Sequence, residues 1–415
     1  MRIGVIYNVF IRDFRKQKKR ITLTLVALAW GTISITLLLS FGEGLHRQMT
    51  INSKGLGEGI AIMWGGQTSI PFKGMGKGRR IRLLPEDIDY LKTRIPGIKE
   101  IGGQYDRWGV TLKYGDNIVV EHVVGIPPNF EQMRNYIPES GGRMINDKDV
   151  KLRRRVAFIG GDLKQRLMGD DDAVGKQIAV NSIPFTIIGV MKEKLQTSSY
   201  GGMDEDILAI PHTTFVAIFG DPYLDEIIYQ IRNLNENKLV ERKIFEAMGA
   251  RKKFDPDDDR ALSVWDTVAM NREFDNVMLG IKIFMIIIGG LTLLIAGVGV
   301  ANIMYVSIKE RTREIGIKMA VGARRSYILW QFLLEALLIT FAGGTLGMAI
   351  SYVLTEGFKR LPVESEVLDF LGRPTLSFEI GAIVVGILSI MGVLSGLFPA
   401  LRAASVNPVE SLRYE

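Results

Sequence analysis

The chain is organised around the stretch SIKERTREIGIKMAVGARRS, residues 307–326, which separates two long apolar runs and is itself too charged to lie in lipid. Its charges recur at helical spacing: Glu310 and Glu314 share one face of a helix. Lys309 and Arg313 share another face. An apolar stripe is formed by Ile308, Ile315, Met319 and Gly322. The pattern predicts a short amphipathic helix that lies along one membrane surface and is accessible to a soluble partner.

Four windows of the sequence are long and apolar enough to cross a bilayer, which takes about 20 residues of helix. The windows are residues 21–41, 281–306, 327–354 and 378–401. The long segment between the first two windows is large enough to fold around its own core. The sequence therefore predicts a membrane protein with a four-helix transmembrane domain and a large extracytoplasmic domain inserted between helices 1 and 2.

The net charge of +7 and the pI near 9.3 argue for a membrane orientation and against nucleic-acid binding, because the charge is unevenly distributed. Residues 42–280 are close to neutral, whereas the excess of Lys and Arg lies in residues 1–20 and 307–326. Short basic segments beside spans face the cytoplasm. Both termini, including the tail 402–415, are thus predicted to be cytoplasmic. Residues 42–280 and the loop 355–377 are then periplasmic or extracellular.

The N-terminal segment resembles a signal peptide, but the apolar run that follows it is too long for a cleaved one. We therefore predict an uncleaved anchor at 21–41. Before it, one helical face carries Ile3, Ile6, Phe10 and Phe14, as in an amphipathic helix at the membrane surface. A plain basic tail is the alternative. The chain has no cysteine, so disulfides and thiolate chemistry are excluded.

The pattern of segment 42–280 predicts an α+β domain. A helix is predicted at 84–95 and two strands at 110–126, around the turn 114–117. A sheet-rich subdomain is predicted to be inserted at about 127–215. Its strands are placed at 156–159, 177–180 and 185–190, and its helix at 161–168.

A second strand, helix and strand are predicted to follow the insertion, at 226–232, 236–248 and 261–264. The helical spacing after residue 264 predicts a stalk over about 264–280 that continues into the second span. The Gly-rich stretch 55–78 has few strand formers and is interpreted as mobile. The pairs Gly343 with Gly347 and Gly392 with Gly396 have the spacing of close helix packing.

Three passages together make the chain similar to the permeases of MacB/FtsX-type ABC transporters, over nearly its whole length. The first is GGRMINDKDV (141–150) with VAFIGGDLKQRLMGDDDAVGKQIAVNSIPFTIIGV (156–190), which resembles the periplasmic core domain of that family. The second is KERTREIGIKMAVGARRSYILWQFLLEALLI (309–339). The third is FPALRAASVNPVESLRYE (398–415). The second and third passages together are highly specific.

The resemblance implies that residues 307–326 are the coupling helix that contacts a cytoplasmic ATPase. The coupling residues are then Lys309, Glu310, Arg311, Arg313, Glu314, Ile315, Gly316, Lys318, Gly322 and Ala323. The family commonly has Arg at the position of Lys318, so this chain keeps the charge without the planar fork. The implied mechanism is mechanotransmission, in which closure of the ATPases moves the outer domains through the stalks.

The resemblance also implies the partners. Two permease chains, identical or different, pair around two ATPase domains in the bacterial inner membrane, and a periplasmic adaptor protein is a further partner that it allows. A phosphate-binding loop needs G-x-x-x-x-G-K-[ST]. The nearest match, residues 169–177, has the wrong spacing and Gln177 in the last position. ATP and magnesium are therefore expected on the partner ATPase, and no cofactor on this chain.

Other chemistry is sparse in the sequence. The three histidines lack the spacing of a zinc site. The acidic run at 255–259 imitates a calcium loop, but Arg260 replaces the required Gly, which favours a solvated turn. Glu335 is the one acid well inside a span. Either it belongs to a proton relay, or it bonds to a neighbouring helix or to a base near the cytoplasmic end.

Three functions remain open from the sequence. The first is an ABC transporter permease that exports or extracts a hydrophobic, lipid-linked, peptide or drug substrate. The second is an FtsX-like transmembrane regulator of an extracytoplasmic cell-wall hydrolase. The third is an autonomous membrane enzyme or proton-coupled carrier, against which the lack of a catalytic constellation argues. The large outer domain favours the first.

Overall fold

The computed structural model describes residues 18–196, 198–360 and 372–407. These residues form two compact units, a membrane unit (Met1–Gln48 with Asp275–Glu415) and an outer unit (Met49–Phe274). Most of the predicted N-terminal helix at 1–20 lies outside the described residues, as do parts of the predicted loop 355–377 and tail 402–415.

Within the described residues, four helices are long and apolar enough to cross a membrane. They are α1 (Lys18–Lys54), α8 (Thr267–Glu310), α10 (Arg325–Arg360) and α11 (Phe378–Ala404), numbered in chain order with the helices given below. The prediction of four spans, the first preceding the outer unit and three following it, is confirmed. Each helix is longer than its predicted window, because apolar sequence marks only the part suited to lipid and the helix continues beyond it.

The four long helices of the membrane unit pack through small residues. A Cβ atom on Gly347 would lie 2.6 Å from the carbonyl oxygen of Ala29, and one on Gly396 would lie 2.6 Å from Cβ of Ala336. Such distances are too short for any side chain. Both pairs of spaced glycines therefore bring helices of the same chain together: Gly343 and Gly347 contact α1, and Gly392 and Gly396 contact α10.

The outer unit contains nine strands and several shorter helices. The strands are β1 (Ile60–Gly65), β2 (Ile98–Tyr114), β3 (Asn117–Ile126), β4 (Val156–Ile159), β5 (Gln177–Val180), β6 (Ile183–Val190), β7 (Leu208–Pro211), β8 (Glu226–Ile231) and β9 (Leu262–Asp266). The helices are α2 (Pro85–Arg94), α3 (Phe130–Met133), α4 (Asp147–Lys151), α5 (Gly161–Met168), α6 (His212–Phe219) and α7 (Asn237–Lys252). The predicted mixture of helices and strands in this unit is confirmed.

The strands form one sheet in the order β3-β7-β4-β6-β5-β2-β8-β1-β9. Because β2 also pairs with β3, the first six strands close into a ring. β2 belongs to both parts of the sheet: Ile98–Gln104 pair with β8, and Tyr105–Tyr114 pair with β3. A β-bulge between Arg107 and Val110 bends the strand just after this division.

Three sequence predictions for the outer unit differ from the structure. The stretch 55–78, interpreted as mobile, contains the buried strand β1, which lies between β8 and β9. It has four consecutive buried apolar residues, Ile60–Met63, but glycines on both sides weaken the strand pattern in the sequence. The stalk helix begins at Thr267, because Val264 still belongs to β9. Finally, β2 and β3, which precede the predicted insertion at 127–215, complete its ring of strands.

A buried charge cluster lies beside α3 in the outer unit. Asp204 accepts hydrogen bonds from Arg134 Nη2 at 2.8 Å and from the Tyr136 hydroxyl at 3.1 Å, and Lys194 Nζ lies 2.7 Å from its other oxygen. Burial lowers the pKa of Lys194, although the carboxylate of Asp204 partly opposes this. Arg134 also donates to the carbonyl of Leu56. The cluster thus ties residues that follow α1 to the centre of the outer unit.

The acidic run at 255–259 is not simply a solvated turn. Asp258 is 1% exposed and accepts hydrogen bonds from the backbone and hydroxyl of Ser69, both at 2.6 Å, and from the backbone of Ile70 at 3.0 Å. Burial raises the pKa of Asp258, but these hydrogen bonds outweigh it and the pKa is lowered. This aspartate holds the segment that follows β1.

Candidate coupling surface

The segment 307–326 contains a helix end, a short helix and a turn. Ser307 to Glu310 complete α8, Arg311 interrupts the helical run, and α9 covers Thr312–Ala320. Gly322 then adopts a positive φ of 101°, which a residue with a side chain rarely adopts, and the chain turns into α10. The prediction of one amphipathic helix is therefore corrected: the helix is shorter and is separated from α8 by Arg311.

The inner side of α9 is apolar and buried within the membrane unit. Ile315 is 3% exposed and belongs to a cluster with Met304, Ile308, Ile328 and Phe332 from the two flanking helices. Gly316 is also buried, and Met319 and Ala323 pack against the edge of the cluster. Burial of these side chains holds the short helix in place, since nine residues alone would not form a stable helix.

Two polar contacts tie both ends of α9 to α10. Arg311 Nη1 lies 3.3 Å from Glu335 Oε2, and Lys318 Nζ lies 3.4 Å from Gln331 Oε1. Gln331 and Glu335 are one turn apart on α10, so a single face of that helix receives both basic side chains. Lys318 also lies 3.1 Å from Glu314 Oε1 within α9. The orientation of α9 is thus fixed by packing and by charge.

The outer side of the segment is charged and exposed. Lys309, Glu310 and Arg313 are exposed, as are Arg324 and Arg325 at the start of α10. Two apolar side chains lie among them, Ile317 at 47% exposure and Val321 at 84%. Beside them, an open cavity of about 660 Å³ is lined by Ala323, Arg324, Ser326, Tyr327, Trp330 and Leu334. Exposed apolar groups within a charged rim are typical of a protein interface.

The structure separates the predicted coupling residues into three groups. Lys309, Glu310, Arg313 and Gly322 are exposed, Glu314 and Lys318 are partly exposed, and Ile315, Gly316, Arg311 and Ala323 face the membrane unit more than the solvent. The sequence interpretation did not single out Ile317 and Val321. Helical spacing from Arg313 to Ile317 to Ala320 marks the exposed face of α9 and could have identified Ile317.

Glu335 is placed beside a base from the neighbouring segment rather than in a chain of acids. Its side chain is about 10% exposed, as is that of Arg311. The sequence left a proton relay and a bond to a nearby base as alternatives. In the structure this base is Arg311, which lies beside Glu335. Within the described residues, no group of three or more His, Cys, Asp or Glu side chains surrounds a common point where a metal could bind.

Two protein families match this chain. Residues 21–244 match the family described as the MacB-like periplasmic core domain, and residues 286–408 match the FtsX-like permease C-terminal family. The second match contains the whole of the coupling segment. Together the matches cover most of the outer unit, most of α8, and the whole of α10 and α11.

Curated relatives match nearly the full length of the chain. The macrolide export ATP-binding/permease protein MacB of Bdellovibrio bacteriovorus is 28% identical over 401 residues, which are 96% of this chain and 60% of that protein. MacB of Wolinella succinogenes is 29% identical over 412 residues, 97% of this chain and 60% of that protein. The chain therefore spans about 60% of the length of these relatives.

Among solved structures, the periplasmic region of MacB from Actinobacillus actinomycetemcomitans matches with a TM-score of 0.43 and 18% identity, covering 54% of this chain and 96% of that one. The extracellular domain of the noncanonic ABC-type transporter YknZ from Gram-positive bacteria matches with a TM-score of 0.42 and 17% identity, covering 50% of this chain and all of that one.

Proposed function

Because the chain belongs to the family of permeases that join a MacB-like periplasmic core domain to an FtsX-like membrane region, we propose that it is the permease subunit of an ABC transporter. ATP and magnesium bind to a separate cytoplasmic ATPase, and a second permease chain completes the complex. The curated relatives are named as ATP-binding/permease proteins for macrolide export. For this chain, the proposed activity is export or extraction of a hydrophobic, lipid-linked, peptide or drug substrate by mechanotransmission.

The observation that carries the proposal is the construction of α9. Its apolar side is buried against the flanking spans, and the contacts Arg311–Glu335 and Lys318–Gln331 fix its orientation. Its other side presents charged groups with Ile317 and Val321 among them. A partner that pushes on this surface moves α8 and α10 with it, because a packed helix transmits displacement as a rigid body.

The proposed orientation follows from charge. The basic residues of the coupling segment, including Arg324 and Arg325, support a position on the cytoplasmic side of the inner membrane. Both termini then lie in the cytoplasm and the outer unit lies in the periplasm. In this orientation an ATPase contacts the coupling surface, and the outer unit contacts the substrate.

The test measures ATP hydrolysis by the tagged chain purified from its native membranes in mild detergent. We expect the wild-type preparation to contain an ABC ATPase and to hydrolyse ATP. Glu314→Lys places a third positive side chain between Arg313 and Lys318, and we expect it to release the ATPase or lower hydrolysis by about tenfold, a change of about 1.4 kcal/mol. The variant loses the Lys318–Glu314 pair, but the buried packing of Ile315 and the Arg311–Glu335 contact remain, so we expect α9 to keep its place.

Glu356→Lys is the matched control, because Glu356 lies at the opposite end of α10 and is partly exposed, in pairs with Lys359 and Arg360. This control should keep the ATPase and its activity. A wild-type preparation that contains no ATPase would show the proposal to be wrong, as would equal activity of the wild-type chain and Glu314→Lys. A co-purifying cell-wall hydrolase without transport would favour the regulator instead.

A further inference from the structure

A polar cavity of about 420 Å³ lies in the outer unit and is not part of the coupling surface. Its walls include the extended segment 80–83 and the loop 220–225. Its volume is within the range of cavities that bind small molecules, which is about 300 to 1,000 Å³. Three arginines, Arg80, Arg82 and Arg107, line it.

The three arginines bring positive charge into the cavity, and the charge of Arg107 acts on the nearby carboxylate of Asp225. In the part of the chain that the structure describes, none of them forms a salt bridge with a carboxylate. Nε of Arg107 is buried and has no hydrogen-bond partner among these residues. A buried donor without a partner is unfavourable, and more so when it is charged.

Aromatic rings hold two of the guanidinium groups by their faces. The guanidinium carbon of Arg82 lies 4.4 Å from the centre of the Tyr223 ring, and that of Arg107 lies 5.4 Å from the Phe219 ring. Stacking uses the flat face of a guanidinium and leaves its N–H groups in the plane available. Those N–H groups match the oxygens of a phosphate or a carboxylate.

Two aspartates also line the cavity, and both are already engaged by backbone amides. The Asp221 carboxylate accepts from the backbone N–H of Tyr223 at 3.1 Å, and the Asp225 carboxylate accepts from the backbone N–H of Asp106 at 2.7 Å. They order the loop and reduce the charge of the cavity without neutralising it. Three positive and two negative side chains leave an excess of one positive charge.

Local sequence builds this arrangement. In the segment 80–83, Ile81 and Leu83 are buried, so the alternation of an extended chain leaves Arg80 and Arg82 exposed on the other side. The segment approaches β1 so closely that a Cβ on Gly65 would lie 2.0 Å from the carbonyl oxygen of Ile81. Gly220, at a φ of 70°, ends α6 and begins the loop that carries Tyr223.

We propose that this arginine-lined cavity binds a phosphate group, presented either by a lipid headgroup or by a small soluble phosphate ester. A phosphate monoester carries a charge of about −1.5 to −2 at pH 7 and three strong acceptor oxygens. It can therefore accept from more than one guanidinium, which a singly charged carboxylate does less well. The polar walls receive the headgroup and leave an acyl chain outside. Binding is independent of ATP hydrolysis, so it can be tested whether or not the coupling proposal holds.

The experiment is calorimetric titration of the full chain in a non-ionic detergent and a phosphate-free buffer. The probes are inorganic phosphate, glycerol 3-phosphate and dihexanoyl phosphatidic acid below its micelle concentration, with acetate as the control anion. We expect at least one phosphate probe to bind more tightly than acetate, with an affinity that falls as salt is added. Binding of all three indicates recognition of the phosphate alone, and binding of the lipid only indicates a headgroup.

The variants Arg82→Gln and Arg107→Gln should each lower the affinity about tenfold, the effect of losing a charge-assisted hydrogen bond. Arg82→Lys keeps the charge but not the fork and should bind with intermediate affinity. Arg242→Gln is the matched control, because Arg242 is an exposed outer-unit arginine that does not line the cavity. The proposal is overturned if no phosphate probe binds, if acetate binds equally well, or if the Arg82 and Arg107 variants bind like the wild type.

Discussion

Arg311 Nη1 lies 3.3 Å from Glu335 Oε2, and the two side chains are each about 10% exposed. Arg311 is the residue at which α8 ends and α9 begins, and Glu335 lies on α10. One ion pair therefore connects the joint of the coupling segment to the next span. Burying either charge at this joint without its partner would cost free energy. The pair therefore favours one arrangement of the three helices.

Glu335→Gln should loosen this joint, because the guanidinium of Arg311 loses its countercharge in a poorly hydrated place. We expect a loss of about 1 to 3 kcal/mol of stability and weaker coupling of ATP hydrolysis to transport. Thermal unfolding of the purified chain and ATPase activity of the complex measure the two effects. Glu356→Gln, on the same helix but in exposed pairs, should change stability by less than about 1 kcal/mol. Equal unfolding temperatures for both variants would contradict this account of the pair.

Asp204→Ala should destabilise the outer unit strongly. It leaves Arg134 and Lys194 buried without their shared carboxylate, which costs on the order of 3 to 5 kcal/mol. For a domain of this size, each kcal/mol lowers Tm by about 2 to 4 °C. Thermal unfolding followed by tryptophan fluorescence reports mainly on this unit, since three of the five tryptophans, Trp64, Trp108 and Trp265, lie in it.

The control for Asp204 is Asp162→Ala, which removes an exposed carboxylate from a pair with Arg166. Its effect should stay below about 1 kcal/mol. Similar Tm values for the two variants would mean that the buried cluster contributes no more than a surface pair does.

The stability of the outer unit should fall as pH rises above about 5. Burial, reinforced by the negative charge of Asp106, raises the pKa of Glu226 well above its usual value. The folded state therefore keeps this proton more firmly than the unfolded chain does. Its contribution is complete below the unfolded pKa of about 4.3 and is lost as pH rises through the folded pKa.

Glu226→Gln removes this titration while keeping a similar shape. The Tm of this variant should change less between pH 5 and pH 8 than that of the wild type. One titrating group changes the free energy of unfolding by at most about 1.4 kcal/mol per pH unit. Asp106, Asp225 and Arg134 also act on Glu226. The pKa of Asp106 is lowered and that of Arg134 is raised, so both stay charged in this range, whereas burial raises the pKa of Asp225. Glu131→Gln, at an exposed position, should leave the slope unchanged. Parallel curves for wild type and Glu226→Gln would show that Glu226 does not titrate in this range.

Gly396→Val should separate α10 from α11. A Cβ at this position would lie 2.6 Å from Cβ of Ala336, so the helices must move apart, at a cost of about 1 to 3 kcal/mol. Gly386→Val on the same helix is the matched control, because a Cβ there has no neighbour within 4 Å among the described residues. The Tm of the full chain should drop for Gly396→Val only. A drop of the same size in both variants would point to helix propensity rather than packing.

The spans and much of the outer unit could be predicted because local sequence specifies them. Apolar runs mark the four long helices, and the strands at Val156–Ile159 and Gln177–Val180 have the predicted bounds. β1 could not be predicted so easily. Its stability comes from pairing with β8 and β9, which are distant in sequence, and the glycines on both sides weaken its local signal.

The candidate coupling surface was predicted as a segment but not as a surface. Composition placed residues 307–326 beside the membrane, and the resemblance to known permeases supplied a role that stays a prediction. The sequence could not show that Arg311 interrupts the helix, because the residue has good helix propensity. Nor could it show the contact of Arg311 with Glu335, 24 residues away.

Local sequence is enough to predict how the chain is divided between lipid and water, because burial of apolar side chains is nearly additive along the chain and needs no knowledge of neighbours. Which charged side chains contact each other depends on the tertiary fold. Arg134 with Asp204, Arg311 with Glu335, and the arginines of the outer cavity acquire their roles from residues far away in sequence. The interaction energy of charges depends on distance and on local hydration, and only the fold sets both.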